Sequence, residues 1–284
     1  MTTPLDLLSS HACFGGEQRF YQHASTTIGL PMKFSVYLPP QAQQGPVPAV
    51  LYLAGLTCTE ETFAIKAGAQ RLAAELGLAL IAPDTSPRGE AVLALPGATA
   101  SWDFGVGAGF YLDATQSPWN THWRMESYLL QELLPLVDQH LPIDAQRLGI
   151  FGHSMGGHGA LTLALRHPGR WRSVSAFSPI VAPSQVPWGQ KALAAYLGED
   201  PAAWRAHDAV ALIAGARERL PLLIDQGEAD EFLPQLRPEL LRAACDAAGH
   251  PLTLRLHPGY DHGYYFIASF IADHVAHHAR ALRG

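Results

Sequence analysis

The residues best suited to chemistry lie in Gly152-His153-Ser154-Met155-Gly156, which has the form Gly-x-Ser-x-Gly. The apolar stretch 147–151 ahead of it reads as a buried strand, and 161–166 behind it reads as a helix. That context places the serine on a strand-to-helix turn so sharp that it takes strained backbone angles. Small residues two before and two after keep strand and helix from colliding. The hydroxyl then stands at a helix N-terminus, where free N–H groups and the helix dipole favour developing negative charge. The plainer reading is a glycine-rich helix start with an N-cap serine. The two differ in whether the chain also supplies partners for Ser154.

A serine hydroxyl needs an imidazole to take its proton and a carboxylate to orient that imidazole. On a sheet with such an elbow the chain order is serine, acid, histidine. His262, in Gly259-Tyr260-Asp261-His262-Gly263, sits in a loop just before a helix and is the expected general base. His257 still belongs to the alternating strand 252–257 and reads as structural. The acid is sought in 225–231, where Asp230 lies several residues into a loop and has the reach to meet His262. Asp225, Glu228 and Glu231 remain alternatives. Two amides are expected to hold an oxyanion, that of Met155 and that of Leu56 after Gly55, although Gly55 also suits a simple turn. Cys58, three residues on, fits either a buried inert thiol or a thiol at a pocket edge. Trp102 suits the wall of a small acyl pocket or ordinary loop packing. His274, His277 and His278 lie on the last helix and read as a solvated or packing face. The spacing of His274 and His278 would suit a metal, but no third ligand is evident, so no metal is expected.

These groups need a scaffold. Residues 17–25 and 32–38 alternate and read as an antiparallel pair at a sheet edge. Apolar runs at 47–53 and 78–83 read as strands buried on both faces. Residues 60–76 carry helical periodicity behind Thr59, a plausible N-cap residue. The stretch 85–120 is rich in Gly, Pro, Ser and aromatics and reads as an ordered loop beside a pocket. Residues 125–140 read as a helix, 173–177 as a strand, and 187–208 as short helices over a pocket. Then come strand 220–224, helix 238–248, strand 252–257 and helix 266–282. This alternation, without linker or repeat, predicts one α/β domain over residues 1–284, built on a doubly wound, mainly parallel sheet. Ligands of such sheets bind beyond the carboxyl ends of the strands, where Gly55, Ser154, Asp230 and His262 all fall.

Composition narrows the classes. The 284 residues are 48% hydrophobic, enough for a large core. Net charge is −6 and lysines number only three, Lys33, Lys66 and Lys191, which argues against nucleic-acid binding. The longest apolar stretches are too short to span a bilayer. The first residues lack a signal-peptide pattern. Three scattered cysteines, Cys13, Cys58 and Cys245, suit free thiols in a reducing compartment.

The sequence also resembles the S-formylglutathione hydrolase (esterase D) family over nearly its whole length. The resemblance rests on Gly55-Leu56-Thr57-Cys58-Thr59, Ser101-Trp102-Asp103-Phe104-Gly105 through Ala108-Gly109-Phe110-Tyr111, the elbow through Leu161, Pro187-Trp188-Gly189-Gln190-Lys191-Ala192, Asp225-Gln226-Gly227, and 259–266. It implies an α/β-hydrolase fold and a serine thioesterase that releases formate and glutathione in formaldehyde detoxification. It also implies a triad of Ser154, Asp230 and His262, no cofactor, and a cytoplasmic homodimer. Cys58 would stand near the active site as a thiol whose modification blocks activity. The sequence departs from the family pattern at Gly263, where many members have serine, in the apolar stretch 91–96, and at Ala182. A general short-chain carboxylesterase or acyltransferase would use the same triad. A non-catalytic binding protein on this fold would be expected to lose a triad member, and all three are present.

Overall fold

The computed structural model describes residues 4–283. Among these residues nine strands form one sheet: β1 (Asp6–Cys13), β2 (Gly16–Ala24), β3 (Pro31–Leu38), β4 (Val47–Leu53), β5 (Ala79–Pro83), β6 (Ile143–His153), β7 (Ser173–Phe177), β8 (Leu222–Gly227) and β9 (Leu252–His257). Their order is β1-β2-β3-β5-β4-β6-β7-β8-β9. The first three strands and β5 pair antiparallel; every pairing from β5 to β9 is parallel.

The period-two geometry of a strand sorts its side chains to the two faces. On β4, Ala49, Leu51 and Leu53 join one buried cluster, while Val50 and Tyr52 join another on the opposite face. The first cluster is covered by α3 (Met155–Arg166) and the helical run 125–140. The second is covered by α1 (Glu60–Lys66), α2 (Gln70–Leu76) and the C-terminal helix α6 (Tyr264–Leu282). Two further helices, α4 (Pro187–Leu197) and α5 (Pro238–Ala248), bury residues in the first cluster. Both faces of the central strands are therefore dry, as their unbroken apolar runs require.

The expected antiparallel pair, buried strands and doubly wound order are all present. Thr59 is an N-cap, and its side chain forms a reciprocal capping box with Thr62. Three features differ from expectation. β1 was not anticipated; it is an exposed edge strand with a bulge between Leu7 and Ser9, so it lacks the alternation that marks a half-buried strand. The helix expected over 60–76 is two helices, broken at 67–69 where Gly68 takes φ +70°. The run 125–140 contains a π-helical stretch over Tyr128–Leu133.

Candidate active site

β6 ends at His153, α3 begins at Met155, and Ser154 between them has φ 58° and ψ −119°. A non-glycine residue in that region costs on the order of 1–3 kcal/mol and persists only where the surroundings enforce it. Here the backbone is pinned on both sides: Ser154 N–H donates to Phe177 O at 3.0 Å, and His158 N–H donates to Ser154 O at 3.0 Å. The flanking glycines are obligatory. A Cβ on Gly152 would stand 2.2 Å from Gly156 O, and one on Gly156 would stand 1.9 Å from Leu53 O. The sequence form thus makes the sharp turn expected of it.

β9 leads into the loop carrying His262, and β8 into the loop carrying Asp230. The two meet: His262 Nδ1 lies 2.7 Å from Asp230 Oδ2. Asp230 is buried and also accepts from Phe232 N–H at 2.9 Å and Gln226 Nε2 at 3.0 Å. Burial pushes its carboxyl up, but His262 first, then Phe232 and Gln226, hold it below the ordinary carboxylate value. An ionised carboxylate only accepts, so Nδ1 of His262 carries the proton and Nε2 is left with its lone pair. The imidazole is held on two further sides. The ring of His153, the residue before Ser154, lies 4.4 Å from it, and Phe232 presents its ring at 5.0 Å and 86°.

The other candidate acids are committed elsewhere or exposed. Asp225 is fully buried and takes Arg255 at 2.6 and 2.5 Å and His274 at 3.2 Å. Burial raises its carboxyl, yet His274 and Arg255 hold it far below the usual range. His257 stands 3.3 Å from the same carboxylate, which agrees with a structural part. Glu228 and Glu231 are exposed. His274 and His278 are wholly buried, so that part of the last helix is a packing face and not a solvated one. Their ring nitrogens are taken by Ser175, Asp225 and Ser173.

The Gly55–Leu56 segment follows β4 and passes directly over the elbow; a Cβ on Gly55 would touch Ser154 Cβ at 3.2 Å. Among the described residues, the amides of Leu56 and Met155 donate to no protein acceptor, whereas Thr57 N–H is taken by Gly107 O at 2.9 Å and Cys58 N–H by Gly55 O at 3.3 Å. The long loop braces this segment. Tyr111 Oη donates to Ala54 O at 2.9 Å, and Phe110 N–H donates to Met155 Sδ at 3.4 Å. Phe110 and Tyr111 both take positive φ to do so, at 49° and 51°. In the sequence both belong to the Ser101–Tyr111 stretch that carries the family resemblance, but nothing there marks them as braces of the Ala54–Leu56 segment.

Cys58 is half-buried, and burial raises its thiol against the opposing influence of Thr62, Tyr264 and Lys66. Trp102 is 52% exposed and packs edge-on to Trp188 at 5.2 Å; Trp188 lies 4.9 Å from Phe232, which reaches His262. An apolar wall thus runs from the imidazole outward to Trp102. Phe232 and His153 were not singled out from the sequence. The one sign for Phe232 was its place two residues after Asp230.

A strained serine elbow at the carboxyl edge of a parallel sheet, with an imidazole oriented by a buried carboxylate and set against the residue before that serine, places the chain among the hydrolases of this α/β class. A family model described as putative esterase matches residues 25–277. The S-formylglutathione hydrolases of Rattus norvegicus and Mus musculus are each 52% identical over 98% of this chain and 99% of theirs. A solved S-formylglutathione hydrolase from Agrobacterium tumefaciens superposes with a TM-score of 0.94 at 50% identity, over 98% of this chain and 99% of that one. The chain belongs to the S-formylglutathione hydrolase family of esterases.

Proposed function

We propose that this enzyme hydrolyses S-formylglutathione to formate and glutathione through a formyl-serine intermediate, with Ser154, His262 and Asp230 as its triad. The 2.7 Å contact between His262 Nδ1 and ionised Asp230 carries the reading, because it leaves Nε2 as a base. Nε2 takes the Ser154 proton as Oγ attacks the thioester carbonyl. The tetrahedral oxyanion is met by the unengaged amides of Leu56 and Met155. The C–S bond breaks, and glutathione departs as thiolate or, with the proton from His262, as thiol. Thiolate is a good leaving group, so this second proton transfer matters less than in amide cleavage. Once His262 is neutral, its proton having gone to the thiol or, after thiolate departure, to solvent, it deprotonates a water that attacks the formyl-serine; His262 returns that proton to Ser154 Oγ as formate leaves. The Trp102–Trp188–Phe232 wall limits the acyl side of the site, and Cys58 borders it. No step calls on a metal or cofactor.

We further read residues 1–284 as one catalytic domain that acts in the cytoplasm as a homodimer in formaldehyde detoxification. No described helix is long and apolar enough to cross a membrane. The test of the reaction is kcat/KM for S-formylglutathione against a series of nitrophenyl esters of rising acyl length. A preference for the formyl thioester, falling steeply beyond acetyl, supports the reading. Equal or better turnover of longer acyl esters would favour a general carboxylesterase or acyltransferase on the same triad.

A further inference from the structure

Glutathione thioesters bring two carboxylates and one ammonium group to a protein whose own net charge is −6. Attraction cannot come from the overall field, so it must be local. The chain has three lysines. Lys33 lines a cleft with Glu60, Glu61 and Asp84. Lys191 is neutralised by Asp103 at 2.6 Å and also holds Ser101 at 2.9 Å. Lys66, the last residue of α1, is exposed and forms no ion pair among the described residues.

Its position is specific. Lys66 Nζ stands 5.8 Å from the centroid of the Tyr264 ring. Tyr264 opens α6 two residues after His262, and its hydroxyl is fixed on Tyr52 at 3.1 Å. The Tyr264 ring meets His153 at 5.9 Å, and His153 meets His262 at 4.4 Å. The cation is therefore two aromatic neighbours away from the base, on the side that carries Cys58. Counted from the sulfur, the γ-glutamyl arm of glutathione runs eight bonds to its α-carboxylate, roughly 10 Å when extended, and that is the reach available toward Lys66. The Trp188–Phe232 wall meets the imidazole through Phe232 and not through His153, and the lysine there, Lys191, is already paired.

We propose that Lys66 receives a carboxylate of the glutathione moiety, so that the peptide leaves the active centre across Tyr264 and Cys58 while the acyl group faces Phe232 and Trp188. This rests on the S-formylglutathione reading above. An exposed ammonium–carboxylate contact is modest, worth about two- to fivefold in affinity, and is screened by salt.

The experiment measures kcat and KM for S-formylglutathione and for the uncharged 4-nitrophenyl acetate, at low and at physiological ionic strength. It compares the wild type with Lys66→Met, Lys66→Glu and Lys66→Arg. The expected result is a rise of about threefold in KM for the thioester in Lys66→Met, larger in Lys66→Glu and restored in Lys66→Arg. The ratio of thioester to neutral-ester kcat/KM should fall with it, and the salt dependence of KM should flatten. A Lys66→Met enzyme that matches the wild type on the thioester, or that loses both substrates in equal proportion, overturns the proposal. Failure of the wild type itself to turn over S-formylglutathione would appear before any substitution and would overturn the underlying reading instead.

Discussion

The hydroxyl of Tyr111 donates to the carbonyl of Ala54 at 2.9 Å, tying the long aromatic loop to the peptide just ahead of Gly55 and Leu56. Both partners are buried. Tyr111→Phe keeps the ring that packs on Gly159 but leaves the Ala54 carbonyl unpaired. Such a loss costs about 1–3 kcal/mol. The expected outcome is a lower Tm together with a roughly tenfold fall in kcat and little change in KM. A fall confined to Tm would show that the Leu56 amide is oriented without Tyr111.

If Ser154 acts as the proposed nucleophile, Ser154→Ala should lower turnover by roughly four orders of magnitude or more, since a triad without its nucleophile keeps only residual catalysis. Intact-mass analysis under turnover should show a formyl adduct on the wild type and none on this variant.

Asp230→Asn should cost roughly three to four orders of magnitude in kcat while leaving the fold intact. An amide can donate to Nδ1 and so favour the tautomer whose Nε2 cannot accept the serine proton. Asp225→Asn should instead act on stability, because Asp225 serves Arg255 and His274 and does not meet His262. Thermal melts and kinetics on the two variants separate these effects.

Acid should unfold this protein early. Burial lowers His158 from 6.5 to about 3, and burial aided by Arg166 lowers His207 from 6.5 to about 4. Between those values and pH 6.5 the unfolded chain binds protons that the folded one refuses, so stability rises with pH across that window and falls on acidification through it. Below the ordinary aspartate range, protonation of Asp225 adds to the loss, its carboxyl being held low in the fold. Calorimetry from pH 7.5 to 4.5 should show Tm falling steadily, and His158→Leu should flatten the slope by about one proton.

Ser175→Ala tests the polar file behind the sheet. Asp225, ionised, accepts from His274 Nε2, so His274 Nδ1 accepts from Ser175, which in turn meets His278 Nε2 at 2.9 Å. His278 Nδ1 is closed by Ser173. Removing one hydroxyl leaves two buried ring nitrogens unpaired, at about 1–3 kcal/mol each. Urea unfolding should register the loss, with kcat preserved at temperatures where the variant remains folded.

Much of this was legible in the residues because the elbow announces itself locally. Gly152, Ser154 and Gly156 form a turn whose steric demand is written in five positions, and the alternation of strands and helices says where the loops after β8 and β9 must fall. His262 was readable from the flanking glycines. Asp230 over Asp225 was a matter of reach, which spacing only favours; in the fold it is Asp230 that lies against His262. What stayed hidden was long-range. Ser173 and Ser175 look like ordinary strand residues, and nothing nearby says that two imidazoles some hundred residues on will complete their hydrogen bonds. Tyr111 and Phe232 likewise act across the fold, through a backbone carbonyl and a ring edge. β1 was missed because an edge strand exposed on both faces has no pattern to read.

The ring of His274 lies stacked on Phe177 at 3.8 Å, and the carbonyl of Phe177 holds the amide of Ser154. A genetic screen for inactive alleles should therefore recover changes on the C-terminal helix that never meet substrate. Such alleles would be mistaken for a second functional surface, when what they disturb is the floor beneath Ser154.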